Sequence, residues 1–221
     1  MTWLRAQLRQ GVAGAGWAGA SVAILLAAGV FAARRGYDLL NHGPNILFLR
    51  TPLDQAIPVA KVFVIPYVSL MPLTYLTLGL LLVFRVRVYQ SAAVAMIVTF
   101  LISYAFYFFL QSYVQRPVVG GEDALVRMLR DVYSSDQPYN DFPSLHTSLS
   151  TILAIHWMRV DRRIGWLAAF WAALIVMSTV FVHQHYLADV FGGLLIAFVV
   201  SALTLRYVVD RPGRGRPQKR A

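Results

Sequence analysis

The sequence contains no cysteine. That excludes a disulfide framework and any thiolate metal site. Charge is scarce too: 14% of the 221 residues are charged, and 10 are Asp or Glu. A soluble domain carries about a quarter charged residues, so the soluble classes are excluded. There is no carboxylate cluster of the kind hard cations need. There is no internal repeat either, which excludes a solenoid.

What is present is apolar. Hydrophobic residues make up 58% of the chain, and a membrane-spanning helix needs about 20 of them in a row. Six candidate spans cover roughly 12–33, 59–83, 91–113, 145–158, 164–182 and 187–208. The expected fold is therefore all-α, a polytopic membrane protein with six transmembrane helices. The spans consume most of the length, so residues 1–210 read as one domain, followed by a basic tail, 211–221. The fourth span is short and must extend into the preceding loop or be shielded by protein. Pro66 and Pro72 should kink the second. Arg5 and Arg9 precede the first without a clear cleavage motif, so it reads as uncleaved. Within the long third loop, Gly121 to Tyr133 has the pattern of a short amphipathic helix, with Leu125, Met128, Leu129 and Val132 on one face.

Charge sets the orientation. The N-terminus, the second and fourth loops and the C-terminus hold Arg5, Arg9, Arg85, Arg87, Arg159, Arg162, Arg163, Arg206 and the basic residues from Arg211 to Arg220. Their acids are Asp161 and Asp210. By the positive-inside rule this side is cytoplasmic. The net charge of +10 is thus mostly an orientation signal, and no nucleic-acid partner is expected. The tail is either solvated or against anionic lipid heads.

Histidine and aspartate are costly in a bilayer and usually mark a working site there. His185 and Asp189 are four apart, so on a helix they share one face. A carboxylate that takes the proton of one imidazole nitrogen leaves the other free to attack. A structural His–Asp bond between helices would have the same spacing. His146 follows Pro143 and Ser144 at the start of the fourth span. Ser144 is a natural N-cap, and a helix N-terminus favours anions. A histidine there can protonate a leaving oxygen, although a cap beside a surface histidine also explains the pattern. Arg116 opens the long loop, either gripping phosphate oxygens or snorkelling to head groups. His183 and Tyr186 stand beside His185 as supporting groups. His146, His183, His185 and Asp189 could also hold zinc, but each has a simpler role, so no metal and no cofactor are expected. The cluster Tyr104, Phe106–Phe109 and Tyr113 reads as packing or an aromatic belt.

Arg116-Pro117, Pro143-Ser144-Leu145-His146 and Ser178-x6-His185-x3-Asp189 together resemble the type 2 phosphatidic acid phosphatase superfamily. The Pro-Ser-Leu-His form is similar to the branch of inositol phosphorylceramide synthase. The resemblance implies that His185 forms a phosphohistidine and Asp189 orients it. It implies that His146 protonates the leaving group and that Arg116, Ser144 and Ser178 bind phosphate oxygens, without metal. The substrate would be a membrane phospholipid or an isoprenoid- or sphingolipid-like phosphate. The site would lie at the extracytoplasmic edge of the bundle, in the plasma membrane.

Three positions depart from that pattern. Phe109 and Thr179 stand where the family has a lysine and an arginine, and Leu145 stands where it has glycine. Losing two cations implies a phosphodiester substrate, or a monoester held with help from Arg127 or Arg130. The expected activity is a lipid phosphatase or phosphotransferase, with head-group transfer to a lipid alcohol as the alternative. A transporter with histidine relays needs polar groups through the membrane depth, where these spans have mainly Ser and Thr. An inactive lipid-binding scaffold fits the missing cations but not the retained His146, His185 and Asp189.

Overall fold

The structure, a computed structural model, describes residues 8–43 and 47–210. Arg5 and the basic tail from Arg211 lie outside the described residues. Among those described the chain is helical, with isolated bridges joining Leu47 to Ser112 and Tyr113 to Tyr139 and no strand. In chain order the helices are α1 (Gly16–Leu40), α2 (Pro52–Ala56), α3 (Val64–Val68), α4 (Leu70–Phe84), α5 (Val86–Phe109), α6 (Ala124–Ser135), α7 (Leu145–Val160), α8 (Arg162–Phe181) and α9 (Leu187–Thr204).

Five segments are long and apolar enough to cross a bilayer: Gly16–Leu40, Lys61–Phe84, Val86–Phe109, Arg162–Phe181 and Leu187–Val209. The protein is integral to the membrane. The second segment is interrupted at Ser69, between α3 and α4. Pro72 has no N–H to give the Val68 carbonyl, and the Ser69 hydroxyl bonds to the Pro66 carbonyl at 2.7 Å.

The fourth expected span, α7, is not among these five. It has 16 residues, about 24 Å of helix, against a hydrocarbon core of about 30 Å. It is the central helix, packed against α4, α5, α8 and α9. Protein on all sides explains its lower hydropathy: Thr147, Ser148, Ser150, Thr151 and His156 are all buried. His156 takes the Ser91 hydroxyl at 2.9 Å and the Ile152 carbonyl at 2.8 Å. Ser148 bridges to Ser144 O at 2.9 Å and to Gly193 O on α9 at 3.1 Å. Gly193 permits that approach, because a Cβ there would lie 2.7 Å from Ser144 O. Small residues let membrane helices close in this way. The outer helices turn Trp166, Leu167, Phe170, Phe191, Leu195 and Phe198 outward, an apolar surface suited to lipid.

The long loop folds over one end of the bundle. Its amphipathic helix forms as α6, two to three residues later than the pattern suggested. Asp123 caps it, with Oδ1 accepting from Leu125 N at 3.1 Å and Val126 N at 3.2 Å, and its Oδ2 pairs with Lys61. Leu129 is buried in a small cluster with Val64, Tyr67 and Val182, against which Leu125, Met128 and Val132 pack. This cluster ties the loop to the ends of α3 and α8.

Candidate active site

Two helix ends meet beneath this loop. At the first, Ser144 caps α7, its hydroxyl accepting from Thr147 N at 3.3 Å. Ser144 N donates to Asp189 O at 3.1 Å, which fixes α7 to α9. The next residue but one, His146, stacks its ring on Tyr67, with centroids 4.1 Å apart and planes 17° apart.

At the second, α8 ends and the chain reverses within a few residues. His183 and Asn140, the described non-glycine residues with positive φ (50° and 59°), both lie in the loops around the site. Such backbone is uncommon outside asparagine, aspartate and glycine, and it often occurs at working sites. The His183 ring is anchored on Ile57 O at 3.1 Å, and partial burial lowers its pKa. The left-handed turn lets Gln184 N and His185 N both reach Thr179 O, at 2.9 and 3.1 Å. His185 then faces His146, with ring centroids 6.2 Å apart.

Asp189 lies behind His185. Its Oδ2 is 3.5 Å from His185 Nδ1 and accepts from Tyr186 N at 2.7 Å. The 3.5 Å separation is longer than a well-formed hydrogen bond. Tyr186 is fixed at its other end, where its hydroxyl accepts from Gln115 N at 2.9 Å. Asp54, unmarked in the sequence, accepts from Leu187 N at 2.8 Å and so secures the start of α9.

His146 and His185 line one cavity of about 360 Å3. Asp136 and Asp141 line it as well, and no motif pointed to either. Asp136 accepts from Tyr37 Oη at 3.0 Å and Asn41 Nδ2 at 2.6 Å. Burial raises its pKa, against the pull of Arg116. The Asp141 carboxyl is buried, and its Oδ2 has no hydrogen-bond partner. Burial pushes its pKa well above the usual carboxylate range, Asp189 and Asp136 push the same way, and Arg116 opposes. A neutral Asp141 can donate to a phosphate oxygen, where an ionised one would repel it.

The other expected phosphate ligands are placed differently. Ser178 and Thr179 are buried and bond back to Ile175 O at 2.6 Å and Val176 O at 2.8 Å. Arg116 sits behind the cavity wall. It donates to Tyr133 O at 3.0 Å, Asp136 O at 2.6 Å, Gln137 O at 3.2 Å and Gln184 Oε1 at 2.5 Å. It thus serves the C-terminal carbonyls of α6, where a cation is favoured. Arg127 bonds to Glu122 O, and Arg130 to Val119 O, Gly121 O and the Glu122 carboxylate. Neither lines the cavity. Among the described residues, no three His, Asp or Glu side chains converge as a metal ion would require.

The model of the PAP2 superfamily matches residues 92–212, from α5 through both histidine motifs. The chain belongs to the PAP2 superfamily. A curated protein to which this PAP2 chain is similar is undecaprenyl-diphosphatase BcrC of Bacillus subtilis (strain 168), 33% identical over 66 residues. That alignment covers 30% of the chain and 34% of BcrC, so the chain spans about a third of the length of the relative it matches. No solved structure matches. The finer likeness to inositol phosphorylceramide synthase is carried by neither comparison, since one is superfamily-wide and the other is to a diphosphatase.

Proposed function

We propose that the protein is a membrane lipid phosphatase acting through a phosphohistidine. The observation that carries this is the placement of His146 and His185 on one cavity, with the Asp189 carboxylate behind His185. Asp189 holds the Nδ1 side of the ring, which leaves Nε2 to attack phosphorus. The bond from phosphorus to the leaving oxygen breaks, and His146 gives that oxygen its proton. Water then attacks the phosphohistidine. His146 takes a proton from the water, the P–N bond breaks, and inorganic phosphate leaves. The first-turn N–H groups of α7 stabilise the charge on the phosphoryl oxygens.

The relative is a diphosphatase of an isoprenoid lipid by its name, which favours water over a lipid alcohol as acceptor and a lipid phosphate monoester or diphosphate over a phosphodiester. The charge distribution supports a site on the extracytoplasmic face, with both termini cytoplasmic. The chemistry calls for no metal ion. The test is phosphate release by detergent-purified protein from a panel of lipid phosphates, with and without chelator. His185→Ala is expected to lose at least about a thousandfold in kcat, the scale of a lost nucleophile. His146→Ala is expected to lose about a hundredfold or more, most with poor leaving groups. Wild-type turnover should form an acid-labile phosphoenzyme that His185→Ala does not form. Full activity in His185→Ala would sink the mechanism.

A further inference from the structure

Among the described residues lining the site cavity, Arg34 is the one arginine or lysine. It comes from α1, outside the stretch matched to the family and outside every motif. The positions where the family pattern has cations hold Phe109 and Thr179, while Arg116, Arg127 and Arg130 are occupied with carbonyls. Arg34 is held loosely by comparison. Its NH1 reaches the exposed Asp38 at 3.4 Å, and its guanidinium lies 5.2 Å from the Tyr37 ring centre. An exposed pair at that distance contributes little, so the guanidinium is free to take a better anion. It lies six residues before the end of α1, about 9 Å from that end along the axis. An arginine at that depth in a spanning helix usually has a working role.

A second cavity of about 280 Å3 adjoins the first, and Arg34, Met71 and Phe100 line both. Apart from Arg34 its lining has no charged side chain, and Leu78, Gly79 and Leu82 of α4 form one wall. Phe31, also in its lining, is 61% exposed, so the groove opens on the outer surface of the bundle. One cation therefore sits where a polar site containing both histidines joins an apolar groove facing lipid. That is the charge pattern of an amphiphile with an anionic head and a hydrocarbon tail.

Building on the phosphatase reading, we propose that Arg34 binds the substrate's phosphate and that the groove between α1 and α4 takes its hydrocarbon chain. Arg34 thereby supplies the charge that Phe109 and Thr179 do not. The planar guanidinium presents paired N–H donors to phosphate oxygens. Leaving Asp38 for a dianion at the cavity mouth strengthens its pairing.

The experiment compares purified wild type, Arg34→Gln, Arg34→Lys, Arg35→Gln and Gly79→Leu on long- and short-chain lipid monophosphates in one detergent. Arg34→Gln is expected to raise KM by about ten- to a hundredfold with a smaller change in kcat, the range one charged hydrogen bond sets. Arg34→Lys should recover most of that affinity, and the exposed neighbour Arg35→Gln should match wild type. Gly79 lines the groove and a Cβ there meets no atom within 4 Å, so the backbone accepts Gly79→Leu, which adds bulk at the groove wall. It should lower the long-chain to short-chain ratio of kcat/KM about tenfold, as blocked apolar contacts predict. A wild type inactive on every phosphate overturns the phosphatase reading itself. An active wild type overturns this inference alone if Arg34→Gln leaves KM unchanged, or if Lys is no better than Gln. If Arg34→Gln fails to fold, an unchanged chain-length ratio in Gly79→Leu overturns it by itself.

Discussion

Asp141 and Arg116 both take their surroundings from groups distant along the chain. The sign of the Asp141 shift follows from its surroundings. Because its folded pKa lies above the unfolded value of about 3.9, the folded state holds a proton that the unfolded state has released. Its stabilising contribution is complete below the unfolded pKa and is lost as pH rises through the folded one. Asp141→Asn is therefore expected to flatten that loss, and to be more stable relative to wild type at pH 8 than at pH 4. Thermal unfolding in detergent at the two pH values checks this, and a constant difference would contradict a neutral carboxyl. The family resemblance makes Arg116 a phosphate ligand; here its terminal nitrogens serve four acceptors around α6 and Gln184. Arg116→Ala removes the donor of the half-buried Tyr133 and Asp136 carbonyls, so it should cost about 1–2 kcal/mol. That loss should appear as a lowered Tm as well as lowered activity. A variant with unchanged Tm and raised KM would restore the direct phosphate role.

At the level of elements, the site depends on the seam between α7 and α9. The Ser144 N to Asp189 O bond and the Ser148 bridge to Gly193 O hold the two histidine motifs in register. Even one methyl at Gly193 would meet Ser144 O at 2.7 Å, Thr147 Cβ at 3.0 Å and Ser148 Oγ at 3.2 Å. Backbone on one side cannot yield as a flexible side chain would, so Gly193→Ala is expected to cost about 1–3 kcal/mol as overpacking. It should also reduce kcat, because the shift separates His146 from His185. Unfolding and turnover measured on the same preparation check both effects. The pattern of α6 was legible in advance because its apolar face repeats at helical spacing. The burial of α7 was not legible, since a hydropathy count cannot tell a membrane-facing helix from one wrapped in protein.

At the scale of the whole molecule, the asymmetry of basic residues predicts which side of the membrane the site faces. The absence of cysteine makes that easy to test, since any introduced thiol is unique. Ser134 is exposed on α6 beside the site, and Arg162 is exposed at the opposite end, at the start of α8. Ser134→Cys is expected to react with an impermeant thiol reagent in intact cells, and Arg162→Cys only after lysis. The reverse pattern would place the site, and its substrate, at the inner leaflet.

The sequence by itself determined that this is a helical membrane protein, how its charge is distributed, and which histidine–aspartate set belongs together. Those properties are written in composition and short spacing: scarce charge, apolar runs, an i,i+4 pair and a serine placed to cap a helix. Only the tertiary structure decided where the cations go. Arg116, Arg127 and Arg130 lie in the loop leading to His146, but carbonyls at helix and loop ends compete for them, and that competition depends on how α6 folds back. Arg34 is more than a hundred residues before His146 and reaches the same cavity because α1 packs on α5. Asp136 and Asp141 likewise enter the site through the path of a loop that no periodicity specifies. Such placements come from contacts distant along the chain, whose geometry is set when the helices assemble.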